Sequence, residues 1–174
     1  MHYNLYIYIC LNFFIFYVCA IFSNKLNLLD YPNKRKIHKK PTPFTGGLAI
    51  VMLYLISINL FKIDIFELDI IVTSSFFIAL VGFIDDKYSL NIGGKLCLQI
   101  IPIFYLVVNE NIFLNQLGNY IYFDLNLNSF SIIFTFLSIL FLLNSFNYFD
   151  GVDGTLGFSS ISVFGILFFL NTNH

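Results

Sequence analysis

The sequence predicts an all-α polytopic membrane protein, a single transmembrane domain over residues 1–174 with about six spanning helices. Three observations support this: an apolar composition, apolar runs separated by short polar segments, and basic residues confined to alternate connections. The chain is 58% hydrophobic and 11% charged, with a mean hydropathy of +0.81, whereas globular domains average about 45–50% apolar and about 25% charged residues. Lipid is therefore the solvent, and a net charge of −1 gives no reason to expect a nucleic-acid partner.

The apolar runs predict spans at about residues 5–22, 46–61, 70–84, 96–108, 129–146 and 157–170. Several are shorter than the roughly 20 residues needed to cross a hydrocarbon core of about 30 Å, so apolar flanking residues must extend them. The first run does not resemble a cleaved signal peptide, because no Lys or Arg precedes it and the basic cluster follows it. Residues 109–128 form the expected outer connection, and within it residues 120–127 alternate weakly between polar and apolar, which favours a short strand or β-hairpin over an ordinary loop only weakly.

The distribution of basic residues predicts the orientation. Eight of the nine basic residues follow spans one and three: Lys25, Lys34, Arg35, Lys36, Lys39, Lys40, Lys87 and Lys95. Because basic residues concentrate on the cytoplasmic side, we expect the N-terminus outside and connections one, three and five in the cytoplasm. The parity of the spans places the three polar segments on that same face.

The three cysteines, Cys10, Cys19 and Cys97, all lie in apolar runs and form no CxxC pair. Their odd number and spacing argue against a disulfide framework and against a zinc site. They are interpreted as small hydrophobic residues.

The first polar segment combines a basic cluster with a stiff, glycine-terminated end. Residues 34–40 contain most of its charge, Pro41-Thr42-Pro43 restricts the backbone, and Gly46-Gly47 begins the next span. A glycine-flanked helix start can present N–H groups to phosphate. The competing interpretation is that a basic cluster beside a membrane only sets topology or attracts anionic lipid.

The second polar segment contains the adjacent carboxylates Asp85 and Asp86 at the end of span three. Such a pair suits a hard cation, or the deprotonation of a nucleophile beside one. The alternative is a solvated helix end with Lys87 as a neighbour.

The third polar segment repeats amides and carboxylates every three residues. It reads Asn144-x-x-Asn147-x-x-Asp150-Gly151-x-Asp153-Gly154. On a helix this spacing follows one slowly turning face, and the glycines allow a sharp turn. Carboxylate and amide oxygens here could hold a nucleotide or a metal–pyrophosphate unit. The spacing does not fit an EF-hand, and a simple turn is the alternative.

Together the three segments resemble the polyprenyl-phosphate N-acetylhexosamine-1-phosphate transferases of glycosyltransferase family 4. The family pattern is matched by Asp30-x-Pro32-x-x-Arg35-Lys36-x-His38, by Pro41-x-Pro43-x-x-Gly46-Gly47, by Gly82-Phe83-Ile84-Asp85-Asp86, and by the Asn/Asp repeat above. The resemblance covers essentially the whole chain. The Arg-Lys-x-His form is closer to the undecaprenyl-phosphate GlcNAc-1-phosphate transferases than to the peptidoglycan translocase.

The resemblance implies an enzyme of the bacterial inner membrane that transfers a sugar-1-phosphate from a UDP-amino sugar, such as UDP-GlcNAc, to undecaprenyl phosphate. UMP is released, Mg²⁺ (or Mn²⁺) is the implied cofactor, and the product feeds a cell-envelope polysaccharide such as lipopolysaccharide. Asp85 or Asp86 would activate or orient the lipid phosphate, and Asn147 would lie near the metal. The implied nucleotide and pyrophosphate contacts are Asn144, Asn147, Asp150, Asp153, Lys36, His38 and Thr42.

Members of that family are longer, and carry a metal-binding Gly-Asp-x-Gly-Ser motif and a His-rich loop that this chain lacks. We therefore expect the N-terminal half of a larger bundle, inactive alone, which could pair with a complementary C-terminal half or with a second copy. The alternatives are a non-catalytic membrane module that binds lipid phosphate or a cation, and a remnant without function. The sequence names neither the sugar nor the polymer.

Overall fold

Each predicted span overlaps one α-helix of the structure, a computed structural model that describes residues 2–31, 41–120, 123–149 and 154–172. The helices are α1 (His2–Lys25), α2 (Gly46–Phe61), α3 (Phe66–Tyr88), α4 (Ile92–Phe104), α5 (Ser131–Phe149) and α6 (Thr155–Thr172). A π-helical turn, Tyr105–Asn109, continues α4, and a 3₁₀ turn, Asn128–Phe130, leads into α5.

Among the described residues, four helical segments are long and apolar enough to cross a membrane: Asn4–Lys25, Phe66–Tyr88, Ile92–Asn109 and Asn128–Tyr148. The helical membrane character is therefore confirmed, but the count of six spans is not, since α2 and α6 are apolar yet shorter. At 1.5 Å per residue, the 16 residues of α2 rise about 24 Å, which is less than a hydrocarbon core of about 30 Å.

Short reversals between α2, α3 and α4 make these helices antiparallel neighbours. Lys62 and Ser89 adopt left-handed backbone conformations directly after α2 and α3. Their backbone N–H groups donate to the backbone carbonyls of Ile58 and Asp85 respectively. Asn91 then caps α4, its side chain accepting the Gly94 N–H at 2.7 Å. As a result, the C-terminus of α3 and the N-terminus of α2 lie at the same end of the molecule.

Most large apolar side chains are exposed, as lipid-facing helices require. Phe13 on α1 and Phe158 on α6 are each 76% exposed. The buried apolar core is small and joins Ile15 of α1 to Ala49 and Leu53 of α2. An exposed apolar surface of this extent is incompatible with water and suits a bilayer.

Two short antiparallel ladders accompany the helices. Strand β1 (Leu29–Asp30) pairs with β2 (Thr42–Pro43), and β3 (Gln116–Asn119) pairs with β4 (Asp124–Asn126). The second ladder lies in the segment for which the sequence leaves hairpin and loop open. The connection before it is held to α5 because the Leu114 N–H donates to Thr135 Oγ1 at 2.9 Å.

Candidate functional site

One cavity of about 620 Å³ is lined by residues of the first two polar segments and by the start of the helix that follows the third. It lies where α2 begins, α3 ends and α6 begins. Its walls are formed by Leu29, Asp30, Thr42, Pro43, Phe44, Gly46, Gly47, Leu48, Ile50, Ala79, Gly82, Phe83, Asp86 and Leu156. About half of these residues are apolar, so the cavity suits a ligand with both a polar and an apolar part.

The β1–β2 ladder brings the first polar segment to the cavity. Its register places Asp30 opposite Thr42, so a carboxylate and a hydroxyl that are distant in sequence share one wall. The ring of Phe44 packs against that of Phe83, with centroids 5.5 Å apart, and this contact joins the segment to α3. Lys36 and His38 lie outside the described residues.

The N-terminus of α2 forms the next wall. A Cβ at Gly46, Gly47 or Gly82 would meet nothing within 4 Å, so packing does not demand glycine there. Without side chains, the backbone itself borders the cavity at these positions. The N-cap residue Thr45 makes no side-chain bond to the helix. The first-turn N–H groups have no intrahelical acceptor, and together with the helix dipole they attract anions such as phosphate.

The structure separates the two adjacent aspartates. Asp86 lines the cavity. Asp85 instead accepts a hydrogen bond from Lys95, with Nζ 2.7 Å from Oδ2, and another from the Leu90 N–H at 3.1 Å. Successive residues on a helix point about 100° apart, so with Asp85 in contact with α4, Asp86 faces a different side of α3.

Leu156, in the first turn of α6 and two residues beyond the third polar segment, lines the cavity. None of the described residues of the segment itself is among the wall residues. Asn144 faces α4, where its Nδ2 donates to Gln99 Oε1 at 3.1 Å, and it also bonds to the Leu140 carbonyl in its own helix. Asn147 is exposed in the last turns of α5, while Asp150 and Asp153 lie outside the described residues. Gly154 has a φ of 86°, in the left-handed region that favours glycine.

The donors around the cavity fit a hard divalent cation. Asp30, Thr42 and Asp86 supply oxygen atoms, which are the ligands that Mg²⁺ prefers. Within the described ranges, no group of three or more His, Cys, Asp or Glu side chains forms a metal cluster. The assignment of Mg²⁺, with Asn147 beside it, therefore stays a prediction.

Two residues with clear structural partners were not predicted as site residues. Lys95 is one of the basic residues expected to set topology, and it proves to pair with Asp85. Gln99 is 5% exposed and binds Asn144. The sequence signal for Gln99 was its position as a lone amide inside an apolar span, since polar groups in membrane helices are rarely left without partners.

A family model described as glycosyl transferase family 4 matches residues 68–174. The chain belongs to this family. The match includes the second and third polar segments, so the resemblance inferred from the three motifs is confirmed.

Curated relatives extend the family match toward the N-terminus. A protein of Escherichia coli O157:H7 named undecaprenyl-phosphate alpha-N-acetylglucosaminyl 1-phosphate transferase is 24% identical over 153 residues, which cover 87% of this chain and 41% of the relative. A protein of the same name from Thermotoga maritima is 28% identical over 157 residues, covering 90% of this chain and 47% of the relative. The chain thus spans less than half the length of these relatives. No solved structure matches it significantly.

Proposed function

We propose that this chain forms the lipid-phosphate and pyrophosphate site of a phosphoglycosyl transferase. The reaction would move GlcNAc-1-phosphate from UDP-GlcNAc to undecaprenyl phosphate, with release of UMP, at the cytoplasmic membrane face. The observation that carries the proposal is the convergence of the first two polar segments on one cavity beside the start of α6, where Asp30, Gly46, Asp86 and Leu156 share the walls. The names of the curated relatives describe the transfer of N-acetylglucosaminyl 1-phosphate with undecaprenyl phosphate as the acceptor, which supports the proposal.

The cavity supports an acceptor with a charged head and an apolar tail. Leu29, Phe44, Ile50 and Phe83 supply apolar wall, while the first turn of α2 offers N–H groups to phosphate oxygens. A lipid phosphate lies at the membrane surface, where the ends of the helices lie. The phosphate would therefore lie against α2 and the first isoprene units against the apolar residues.

Phosphoryl transfer asks the protein mainly to position groups and neutralise charge. Asp30 and Asp86 would hold Mg²⁺, or Mn²⁺ in its place, and the bound ion would supply positive charge against the pyrophosphate. Asp86 would orient the lipid phosphate, which as a monoester is largely dianionic at pH 7, since its second pKa is about 6. Lys36 and His38 would add positive charge, and Asp150 and Asp153 would shape the nucleotide site.

A chimera tests this proposal. The 174 residues replace the matched part of the E. coli relative in a strain that lacks its own transferase, and transfer of radiolabelled GlcNAc-1-phosphate to undecaprenyl phosphate is measured in membranes. We expect activity in the chimera, its loss in Asp86→Asn, and its retention in Asp64→Asn, a carboxylate near the opposite end of α3. Equal activity of Asp86→Asn and the unmodified chimera would overturn the assignment. The 174 residues alone are expected to show no turnover.

Orientation has its own test. In a background with the three cysteines replaced, a cysteine at Lys87 should resist a membrane-impermeant thiol reagent in intact cells, whereas one at Asp64 should react. If Lys87→Cys were labelled and Asp64→Cys were not, the cavity would lie on the outer face. That result would exclude a cytoplasmic sugar nucleotide as donor.

A further inference from the structure

Helix α4 carries two polar side chains that are largely withdrawn from solvent. Lys95 is 12% exposed and Gln99 is 5% exposed. They lie one helical turn apart near the start of an otherwise apolar helix. Buried charges and amides in a membrane helix are costly unless they find partners, so their placement points to a specific role.

Both partners belong to the polar segments of the candidate site. Lys95 Nζ lies 2.7 Å from Asp85 Oδ2, directly before the cavity residue Asp86. Gln99 Oε1 accepts from Asn144 Nδ2 at 3.1 Å, one turn before Asn147. Helix α4 packs against both α3 and α5, so it is hydrogen-bonded to two motif helices that the chain order separates.

These bonds set rotation as well as distance. Helix α3 packs against α2 and α4. Because Asp85 is held toward α4, the neighbouring Asp86 reaches the cavity formed with α2. On α5, the bond from Asn144 fixes the direction in which the end of the helix, with Asn147, projects. Helices that are apolar all round have no hydrophobic stripe to fix such rotations.

We infer that Lys95 and Gln99 are positioning residues of the proposed transfer site, a polar brace on α4 that aligns the end of α3 with the end of α5. Asp85 belongs to this brace and acts through Lys95, while Asp86 faces the substrate. The inference rests on the proposed function for its catalytic consequence. Its structural content, that two bonds align two helix ends, is independent of that function.

The catalytic consequence is tested in the chimera with Lys95→Met and Gln99→Leu. We expect each to lower kcat about tenfold to hundredfold, the effect of a small misplacement of reacting groups, with little change in KM for UDP-GlcNAc. The matched control is Asn59→Ala. It removes an amide that donates a hydrogen bond to the Leu55 carbonyl in its own helix. Full activity of both brace variants in an active chimera would refute the inference.

Exchanging the partners separates positioning from catalysis. The double variant Asp85→Lys with Lys95→Asp restores an ion pair but moves the carboxylate to α4, and Gln99→Asn with Asn144→Gln restores an amide pair. We expect both exchanges to recover activity lost in the single variants. If Asp85→Lys with Lys95→Asp stays as inactive as Asp86→Asn while it folds normally, Asp85 is catalytic and the inference is wrong.

A distance measurement tests the brace without any activity. Spin labels on cysteines at Lys87 and Tyr148, both exposed at the ends of α3 and α5, report the separation of those ends in the purified 174-residue chain. Lys95→Met and Gln99→Leu should broaden the distance distribution, while Asn59→Ala should leave it narrow. Unchanged distributions in both brace variants would overturn the inference even if the chimera were inactive, and an inactive chimera with broadened distributions would count against the proposed function alone.

Discussion

The ion pair between Asp85 and Lys95 should make the largest single contribution to the local stability of the α3–α4 hairpin. At 2.7 Å and an effective dielectric constant of about 20, the Coulomb energy is about −6 kcal/mol. Desolvation offsets much of this, and removing one partner of a buried pair typically costs about 3–5 kcal/mol. Asp85 keeps 21% exposure and the Leu90 N–H bond, so Lys95→Met should cost about 2–3 kcal/mol.

A double-mutant cycle measures the pair itself. The free energy of unfolding is determined by SDS titration in detergent micelles for Lys95→Met, Asp85→Asn and the combination. We expect the double variant to be less destabilised than the sum of the singles, with a coupling of about 1–3 kcal/mol. The control is Lys87→Met, on an exposed lysine whose Nζ lies 5.3 Å from the Tyr88 ring centroid, which should change stability by no more than about 1 kcal/mol. Additive single effects, or a Lys95→Met cost within about 0.5 kcal/mol of zero, would refute the reasoning.

Three further predictions concern stability, each checked by the same titration. Thr135→Val should lower the free energy of unfolding by about 1–3 kcal/mol, because it removes the hydroxyl that accepts the Leu114 N–H at 2.9 Å. The control Thr135→Ser keeps a hydroxyl and should lose less stability, and equal losses of stability in the two variants would contradict the prediction. Gly94→Ala should cost about 0.5–2 kcal/mol, because its Cβ would lie 2.7 Å from the capping oxygen of Asn91, whereas Gly93→Ala, with nothing within 4 Å, should be neutral or stabilising. Ser57→Ala should be neutral or stabilising by up to about 1 kcal/mol, since the buried Ser57 hydroxyl has no hydrogen-bond partner in the part of the chain that the structure describes; a clear destabilisation would reveal a partner.

The existence and order of the helices could be predicted from the apolar runs, but their ends could not. Helix α3 begins at Phe66, four residues before the predicted span, and Glu67 and Asp69 lie in its first turn. Carboxylates there favour a helix N-terminus through the helix dipole, so polar residues that mark the end of an apolar run still continued the helix.

The cavity could be predicted as a meeting of segments, but not the direction of each side chain. From the sequence, Asp85 and Asp86 are equally good candidates for the residue that acts on the lipid phosphate. Only the ion pair with Lys95 on a neighbouring helix distinguishes them. Asn144 was predicted to contact nucleotide or pyrophosphate, and its amide instead has Gln99 as a neighbour; its assigned role stays a prediction. Helices that are apolar all round carry no periodicity to set their rotation, so such directions depend on long-range pairs that local patterns do not reveal.

The pairing of β1 with β2 keeps residues 31 and 41 side by side, because Asp30 lies opposite Thr42 in the ladder. The ladder, rather than the basic residues that follow Asp30 in the sequence, therefore sets the spacing between these two residues of the cavity wall. Loss of the pairing between β1 and β2 would separate the carboxylate from the hydroxyl without any change in either side chain.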